Sequence, residues 1–457
     1  MIFDLIVRNG NVVTDEGEER LDVGVRAGQI AVLAPNLADA HALKKIDASG
    51  KLVFPGFIDA HTHMGIPIMD TDSCDDFESG SVAAACGGVT TIIDFTVHQL
   101  GQTLRESVQE RLSKAERKSH IDFALHVNVT DQSEQRLGEI PTLIEEGFTA
   151  YKVFSTYRQA GMMVTWPEFR MVLRTVHRHA GLLCLHAEDN DLVEAQTDQN
   201  IAAGHRDAIY HPRSRTPEAE ATAISRAAEI AEELDASLYI VHLSSRAGLE
   251  AGLRAKERGV KLILETCPQY LVLSEEKYLE QNGYHWITTP PLRTEEDSEA
   301  LWQALADGHI EVVATDHCPF TSEQKECGRG AFHLTPNGLP GVETLFPLLY
   351  TYGVATGRIS QARLVQVLAK RPAEIFGLAA RKGTLAVGAD ADLVVWDPAA
   401  TDVITADKLH GNADWSPYEG LKISGRLNYT ILRGEILVEQ GEFLGDKVFG
   451  NLLLADV

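Results

Sequence analysis

The sequence lacks the features that mark nucleic-acid-binding, membrane-spanning and secreted proteins. Basic residues are few: 41 Lys and Arg stand against 66 Asp and Glu in 457 residues, and the formal net charge is -25. A phosphate backbone or an anionic membrane surface repels a chain this acidic. No apolar run approaches the length of a membrane span. The N-terminus carries Asp4 early and breaks at Asn9-Gly10, unlike the basic start and apolar run of a secretory signal. We expect neither a nucleic-acid nor a membrane partner, and a cytoplasmic location.

Cysteine is equally scarce. The chain has six cysteines and no C-x-x-C pair, which does not fit the disulfide framework of a small secreted scaffold. We interpret them as reduced thiols, most of them small buried side chains. A bridge or a metal pair formed by Cys318 and Cys327 is the alternative.

The chain has a hydrophobic content of 44%. At this length, that is enough to form the core of one large domain and of a second, smaller domain.

Short β-branched runs at both chain ends predict a small β domain. Four such runs lie in the first fifty residues, and three more follow residue 380, the first of them at Gly383–Leu385. The two ends are predicted to build one β-sandwich around an interrupting domain. We place the sandwich domain, with its C-terminal tail, at residues 1–54 and 376–457, and the inserted domain at residues 55–375.

The inserted domain shows a repeated strand-helix pattern. Eight apolar runs are each followed by a segment long enough for a helix, and they are Leu52–Ile58, Val89–Phe95, Ile121–Val127, Phe148–Phe154, Gly181–Leu185, Leu238–Val241, Val260–Leu264 and Ile310–Ala314. Eight strand-helix units favour an α/β fold of the closed (β/α)8 TIM-like barrel type. In such a barrel the active site is built at the C-terminal ends of the strands.

The first of these runs ends in an H-x-H motif at His61 and His63. Residues two apart in a strand point to the same face, so both imidazoles can reach one cation. Two unrelated polar residues at a strand end are the alternative. A second H-x-H, at His177 and His179, lies in a helical pattern where a two-residue step turns the side chains about 200° apart, and we interpret that pair as surface residues.

Other predicted strands end in metal-type ligands at the same edge of the barrel. The fifth runs into His186, the sixth into His242 and the eighth into Asp316. Each histidine taken alone also fits a hydrogen-bonded core residue. Four His and one Asp from four strands, all expected at one barrel mouth, indicate a metal site.

The fourth predicted strand carries Lys152 inside an apolar run. A buried lysine can form an ion pair or extend its amine to water. Close to two cations its amine would lose its proton, and a neutral amine can add carbon dioxide to become a carbamate. That anion can bridge two metals, which four neutral histidines cannot do.

These motifs together resemble the dihydropyrimidinase and hydantoinase branch of the amidohydrolase superfamily, the cyclic amidohydrolases. The resemblance covers nearly the whole chain, in order through Asp59–Met64, Gly87–Thr91, Lys152–Phe154, His186–Glu188, His242–Ser244, Cys267–Tyr270, Pro290–Arg293, Thr315–His317 and Pro336–Gly338. It implies an enzyme that hydrolyses the ring amide of a dihydropyrimidine or a 5-substituted hydantoin. It also implies a homo-oligomer, a tetramer or a dimer.

The resemblance further implies a binuclear metal centre. His61, His63 and Asp316 would hold the more buried ion, His186 and His242 the more exposed one, and carboxylated Lys152 would bridge them. Zinc suits imidazole and oxygen ligands, with manganese or cobalt as alternatives. Two such ions lower the pKa of a water enough to supply hydroxide near neutral pH, and Asp316 would shuttle its proton to the departing ring nitrogen.

Three more positions match substrate-contacting residues of that branch. Tyr157 would donate to the oxyanion of the tetrahedral intermediate, although a barrel-rim aromatic is the alternative. Backbone groups at Thr289 and Asn337 would hold the ring amides. Thr289 stands where relatives commonly have Ser, a departure that keeps the hydroxyl, and Asn337 also fits a plain turn residue.

Allantoinase is the alternative substrate assignment, since Gly338–Glu343 is similar to allantoinase-like relatives. Dihydroorotase relatives carry an arginine after the H-x-H, and this chain has Met64 there. A non-catalytic scaffold homologue is the alternative from another class. Such scaffolds have lost the metal ligands, whereas all six positions are filled here.

Overall fold

A computed structural model describes residues 2–445, 447 and 450–456 of the chain. Within these residues, eight parallel strands form one sheet, which comprises Phe57–Thr62, Val89–Phe95, Asp122–Asn128, Ala150–Phe154, Leu182–His186, Leu238–Ile240, Leu262–Thr266 and Val312–Val313. Each strand pairs with the next in chain order. The first and last strands meet beyond their ends, where Thr62 bridges to His317 and the His63 amide donates to the His317 carbonyl at 2.8 Å. The predicted (β/α)8 barrel is confirmed.

The barrel strands are buried because helices cover their outer face. The α-helices of the described residues are Phe77–Cys86, Leu104–Ala115, Glu134–Leu137, Ile140–Glu145, Trp166–Arg178, Asn190–Ala202, Tyr210–Ser214, Pro217–Glu233, Arg246–Glu257, Pro268–Val272, Glu295–Ala306, Ser322–Lys325, Leu345–Leu349, Gln361–Val365 and Arg371–Ile375. Several begin at a side-chain cap, such as Thr103, Thr165 and Thr294, each of which accepts from the amide three residues on. None of the described helices has both the length and the apolar character that a membrane crossing requires.

The chain ends build a second sheet, which confirms the predicted sandwich unit. Its strands in the described residues are Ile2–Val13, Glu18–Arg26, Gln29–Ala34, His41–Asp47, Leu52–Pro55, Leu393–Val403, Lys422–Leu432, Glu435–Glu439 and Glu442–Phe443. Most pairs are antiparallel, but His41–Asp47, which lies outside the predicted strands, runs parallel to the first strand. A separate apolar core including Leu5, Val23 and Val395 lies against this sheet. Residues 383–385, predicted as a strand, lie in irregular backbone.

One predicted strand is two strands in the structure. Leu52–Pro55 pairs with the start of Leu393–Val403 in the end sheet, whereas Phe57–Thr62 belongs to the barrel. The chain changes sheet at Gly56, where a Cβ would clash with Thr90. A continuous apolar run hides this change, because both strands are buried on every side.

A buried ion-pair cluster connects the two sheets. Lys382 Nζ lies 2.5 Å from Asp122, 3.0 Å from Asp390 and 2.7 Å from Asp392. Asp122 begins the third barrel strand, whereas Lys382, Asp390 and Asp392 lie before strand Leu393–Val403 of the end sheet. Only about 2% of the Lys382 side chain is exposed. This buried cation offsets part of the repulsion among the three carboxylates, and Arg433 and Arg381 pair with Asp122 and Asp390 as well.

The C-terminal tail returns to its own barrel. The Phe123 amide donates to the Asn451 carbonyl at 3.0 Å, the Leu453 amide donates to Phe123 at 2.7 Å, and Leu453 is buried. The neighbouring Val448 and Phe449 lie outside the described residues.

Candidate metal centre

The barrel places the six predicted metal ligands at the C-terminal ends of its strands. His61 lies in the first strand with His63 just beyond it, Lys152 lies in the fourth, and His186 ends the fifth. His242 and Asp316 follow the sixth and eighth strands within three residues. The helical H-x-H pair lies elsewhere: His177 is half-buried and His179 is exposed, at the end of helix Trp166–Arg178.

His61, His63 and Asp316 form the tightest group. Asp316 Oδ1 lies 3.1 Å from His61 Nε2 and 3.0 Å from His63 Nε2. One ligand atom from each of the three residues lies within 4.8 Å of the others. Burial holds the pKa of His61 well below its ordinary value, so its imidazole is neutral, which is the form that binds metals.

His186 and His242 form a second pair beside the first. Their ring centroids lie 4.5 Å apart, and the His242 ring lies 5.5 Å from that of His61. His186 Nε2 hydrogen-bonds with Glu188 Oε2 at 2.7 Å, which fixes the ring and leaves Nδ1 for another partner. Burial lowers the pKa of both histidines, so both are neutral.

Lys152 is buried between these histidines and the barrel interior, with about 1% of its surface exposed. Its amine lies 5.4 Å from the ring centre of Phe95 and 5.2 Å from that of Phe154. Among the described residues no carboxylate forms an ion pair with it. Burial lowers the pKa of the Lys152 amine to about 8. A larger fraction of this amine is therefore neutral than for an exposed lysine, and carbamate formation uses the neutral form.

The predicted substrate contacts lie around the same opening. Tyr157 is close to His186, with ring centroids 5.2 Å apart. Thr289 is buried, and its hydroxyl lies 3.4 Å from His211 Nε2. Burial raises the pKa of the Tyr157 phenol, so it stays protonated and able to donate. Asn337 is half-buried, and its neighbour Gly338 donates to the Ile287 carbonyl at 3.1 Å, two residues before Thr289.

Three of these positions have left-handed backbone although none is glycine. The φ angles are 69° at Tyr157, 39° at His242 and 53° at Asp316. Such a conformation costs on the order of 1–3 kcal/mol per residue and concentrates at functional sites, where the surrounding structure imposes it. The fold thus orients three side chains of one site at a cost in stability.

Comparison with known proteins gives this geometry a family. The model of the Amidohydrolase family matches residues 52–437. The chain belongs to the amidohydrolase family. The D-hydantoinase of Rhizobium radiobacter is 42% identical over 456 residues, which cover 98% of each chain. A solved D-hydantoinase superposes with a TM-score of 0.96 at 40% identity over 99% of this chain and 98% of the other. The dihydropyrimidinase of Brevibacillus agri NCHU1002 has a TM-score of 0.95 at 35% identity over 98% of each chain. The predicted hydantoinase and dihydropyrimidinase branch is confirmed.

Glu265, which the sequence did not single out, supports the predicted metal ligands of this amidohydrolase. Glu265 Oε1 accepts from His61 Nδ1 at 2.8 Å and from the His242 amide at 2.9 Å, while Oε2 accepts from Tyr239 OH at 2.7 Å. One buried side chain therefore holds a histidine of each predicted metal-ligand set. The signal was present in the sequence, because Glu265 is an acid inside an apolar barrel strand, just as Lys152 is a base inside one.

Arg215 was missed as well. Its guanidinium lies 5.0 Å from the centre of the Tyr157 ring and donates to Glu188 Oε2 at 2.5 Å. Although burial raises the pKa of Glu188, the Arg215 charge and the His186 hydrogen bond bring it down to about 2. Arg215 thereby connects Tyr157 to the carboxylate that orients His186. It lies in a loop after a short helix, where no periodic pattern points to it.

The donor set of this amidohydrolase fits divalent cations. Since Glu265 accepts the Nδ1 proton of His61, the Nε2 lone pair of His61 faces the carboxylate oxygen of Asp316. A divalent cation bound to both atoms would satisfy these two acceptors. The Nδ1 atoms of His63 and His242 are buried and have no hydrogen-bond partner among the described residues.

Proposed function

We propose that this amidohydrolase opens the ring amide of a cyclic substrate, a dihydropyrimidine or a 5-substituted hydantoin, at the C-terminal mouth of its barrel. The observation that carries the proposal is the convergence of His61, His63 and Asp316 within 4.8 Å of one another, with buried Lys152 and the His186 and His242 pair beside them. The relatives named D-hydantoinase and dihydropyrimidinase support the substrate class and do not favour allantoinase.

The residues that would hold metal ions fall into two sets. His61, His63 and Asp316 would hold one ion, His186 and His242 a second, and Lys152, carboxylated on its amine, would hold both. Two divalent ions, zinc by preference and manganese or cobalt as alternatives, would supply Lewis acidity and a water that ionises near neutral pH. The buried, unpaired amine of Lys152 supports its carboxylation.

The chain's own side chains then move protons and stabilise charge. Asp316 would accept the proton of the attacking water and deliver it to the leaving ring nitrogen. Although burial raises the pKa of Asp316, the hydrogen bond with His63 helps to bring it below its ordinary value, so Asp316 starts as a carboxylate. Tyr157 would donate to the carbonyl oxygen as negative charge develops there.

Thr289 and Asn337 would bind and orient the ring amide. The segments that carry them are tied together, because the Ile287 carbonyl accepts from both the Gly338 amide and Lys325 Nζ, at 3.1 and 2.8 Å. Met64, where a carboxylate-binding arginine would be needed for dihydroorotate, is buried and apolar. A neutral or weakly acidic ring suits this site.

A side-by-side assay tests the proposal. Purified protein loaded with zinc, manganese or cobalt is assayed against dihydrouracil, a 5-substituted hydantoin, allantoin and dihydroorotate. We expect hydrolysis of the first two. Activity confined to allantoin would overturn the substrate assignment, and no hydrolysis of any of the four by metal-loaded protein would support a scaffold role instead.

Three further predictions accompany this function. We propose domain boundaries that leave the barrel at residues 55–375 and give residues 1–54 and 376–457 to the sandwich domain. We also propose a homo-oligomer, a tetramer or a dimer, and a cytoplasmic location. Limited proteolysis, analytical ultracentrifugation and cell fractionation test these in turn.

A further inference from the structure

A second cluster of metal-type ligands lies outside the barrel mouth. It consists of Cys86, Glu343 and His410, and one ligand atom from each lies within 4.8 Å of the other two. Cys86 ends helix Phe77–Cys86, Glu343 lies in the loop beyond the eighth barrel strand, and His410 precedes strand Lys422–Leu432 of the end sheet. Three distant parts of the chain thus meet at one point, and the mechanism proposed above uses none of these side chains.

Hydrogen bonds hold the His410 ring in a fixed orientation. Glu343 Oε2 accepts from the His410 amide at 2.8 Å, and Glu343 Oε1 lies 2.8 Å from His410 Nδ1. Metal-binding histidines typically bond a backbone carbonyl or a carboxylate through one nitrogen, which orients the other towards the ion. Nδ1 of His410 already faces a Glu343 oxygen at 2.8 Å, so an ion that binds both atoms would take the place of the proton between them.

The charges around the cluster favour a cation. Burial raises the pKa of the Cys86 thiol, and the nearby carboxylates of Glu343 and Glu442 raise it further. Without a cation the thiol therefore stays protonated. A divalent ion reverses that balance, because it stabilises the thiolate and offsets both carboxylates at once.

We propose that Cys86, Glu343 and His410 bind one thiophilic divalent cation of the zinc class, at a site separate from the barrel mouth. Cysteine, histidine and glutamate are the three ligand types that zinc takes, at about 2.0–2.3 Å, and a water commonly completes the tetrahedron. Binding releases the thiol proton of Cys86 and the proton shared by His410 Nδ1 and Glu343. The three ligand atoms, which lie within 4.8 Å of one another, then adjust to tetrahedral spacing, and Nδ1 and Oε1, now 2.8 Å apart, separate as the ion enters between them.

The site has a route to solvent on the side of His410. About 30% of the His410 side chain and 13% of that of Glu343 are exposed. Glu343 also lines a small cavity, together with Leu409, Gly411 and Trp415. An ion can enter from the His410 side without opening the barrel.

The bound ion would join three elements next to the catalytic loop. The amides of Gly341 and Val342, directly before Glu343, donate to His317 Nδ1 at 3.0 and 3.3 Å, and His317 follows Asp316. The cation therefore fixes the helix end, the 341–344 loop and the 410 segment relative to one another. We expect added zinc to raise the melting temperature of the wild-type protein more than that of a Cys86→Ser variant.

Cobalt spectroscopy separates this site from the barrel mouth. The ligands proposed at the barrel mouth are nitrogen and oxygen, so a thiolate-to-cobalt charge-transfer band in the near ultraviolet reports only a cysteine ligand. The enzyme carrying its resident metals is titrated with Co2+, and bound metal per chain is counted by mass spectrometry after gel filtration. Wild type is compared with Cys86→Ser and His410→Ala, and exposed Cys327→Ser serves as the matched control.

We expect the band to appear with one additional ion per chain in wild type and Cys327→Ser, and to be lost in Cys86→Ser. His410→Ala, which leaves the buried thiol in place, should bind cobalt at least tenfold more weakly. A Lys152→Ala variant should keep the band, so failure of the barrel-mouth proposal leaves this one standing. No band in wild type, or an equal band in Cys86→Ser, overturns the proposal.

Discussion

Removing the Glu265 carboxylate should weaken metal binding at the barrel mouth without touching a proposed ligand. Glu265→Ala leaves three buried donors unpaired: His61 Nδ1, the His242 amide and the Tyr239 hydroxyl, now bonded at 2.8, 2.9 and 2.7 Å. Loss of a carboxylate that orients a metal-bound histidine typically costs 10–100-fold in metal affinity or activity. That range corresponds to about 1.4–2.7 kcal/mol. Because Glu265 hydrogen-bonds with a histidine of each ligand set, we expect a loss of zinc affinity in the upper part of this range.

The assay is the zinc concentration that restores half-maximal hydrolysis of dihydrouracil after chelation. Glu265→Gln is the conservative variant, since an amide keeps one acceptor oxygen for His61 and His242 and can donate to Tyr239, and it should lose much less affinity than alanine. Glu311→Ala is the matched control, because Glu311 also accepts from a backbone amide of the seventh strand, but its other partner is Lys256 on helix Arg246–Glu257 and not a proposed metal ligand. A folded Glu265→Ala protein with wild-type zinc affinity, or an equal loss in Glu311→Ala, would refute the positioning role.

The remaining predictions concern three other side chains. Lys152→Ala should lose bound metal and activity together, and short carboxylic acids should restore part of both by replacing the carbamate; full turnover without them would contradict the bridging role. Tyr157→Phe should keep its metal content and lower kcat by roughly 10²–10³, whereas an unchanged kcat would make Tyr157 a rim aromatic. Lys382→Met should lower the free energy of unfolding by about 3–5 kcal/mol, because Asp122, Asp390 and Asp392 would lose the cation they share. Urea denaturation followed by circular dichroism measures the free energy of unfolding, and a change below about 1 kcal/mol would contradict this prediction.

Periodicity made much of the fold predictable. The H-x-H at His61 and His63 and the one at His177 and His179 are identical as motifs, and only the two-residue period of a strand against the 3.6-residue period of a helix separates them. The structure puts the first pair at the barrel mouth and the second on a helix surface. His186, His242 and Asp316 come at or just after the ends of predicted parallel strands, which place them at the same edge of the barrel as His61 and His63.

What the sequence did not reveal depends on contacts between distant segments. The change of sheet at Gly56 follows from the position of Thr90, which no local pattern records. Arg215 acquires its role only because the loop that carries it passes over Tyr157. Cys86, Glu343 and His410 come from three separate parts of the chain, and even Glu343 and His410 are 67 residues apart. Glu265 was within reach, since a lone charge inside a buried strand is the same signal that pointed to Lys152.

We propose that six side chains at the barrel mouth hold two ions that make the protein a cyclic amide hydrolase. The most direct test is to titrate metal-free Cys86→Ser protein with zinc and to follow hydrolysis of a 5-substituted hydantoin. We expect no activity without zinc, and a rise that levels off at two ions per chain. Activity that survives complete removal of metal, or that levels off at a single ion, would contradict the claim.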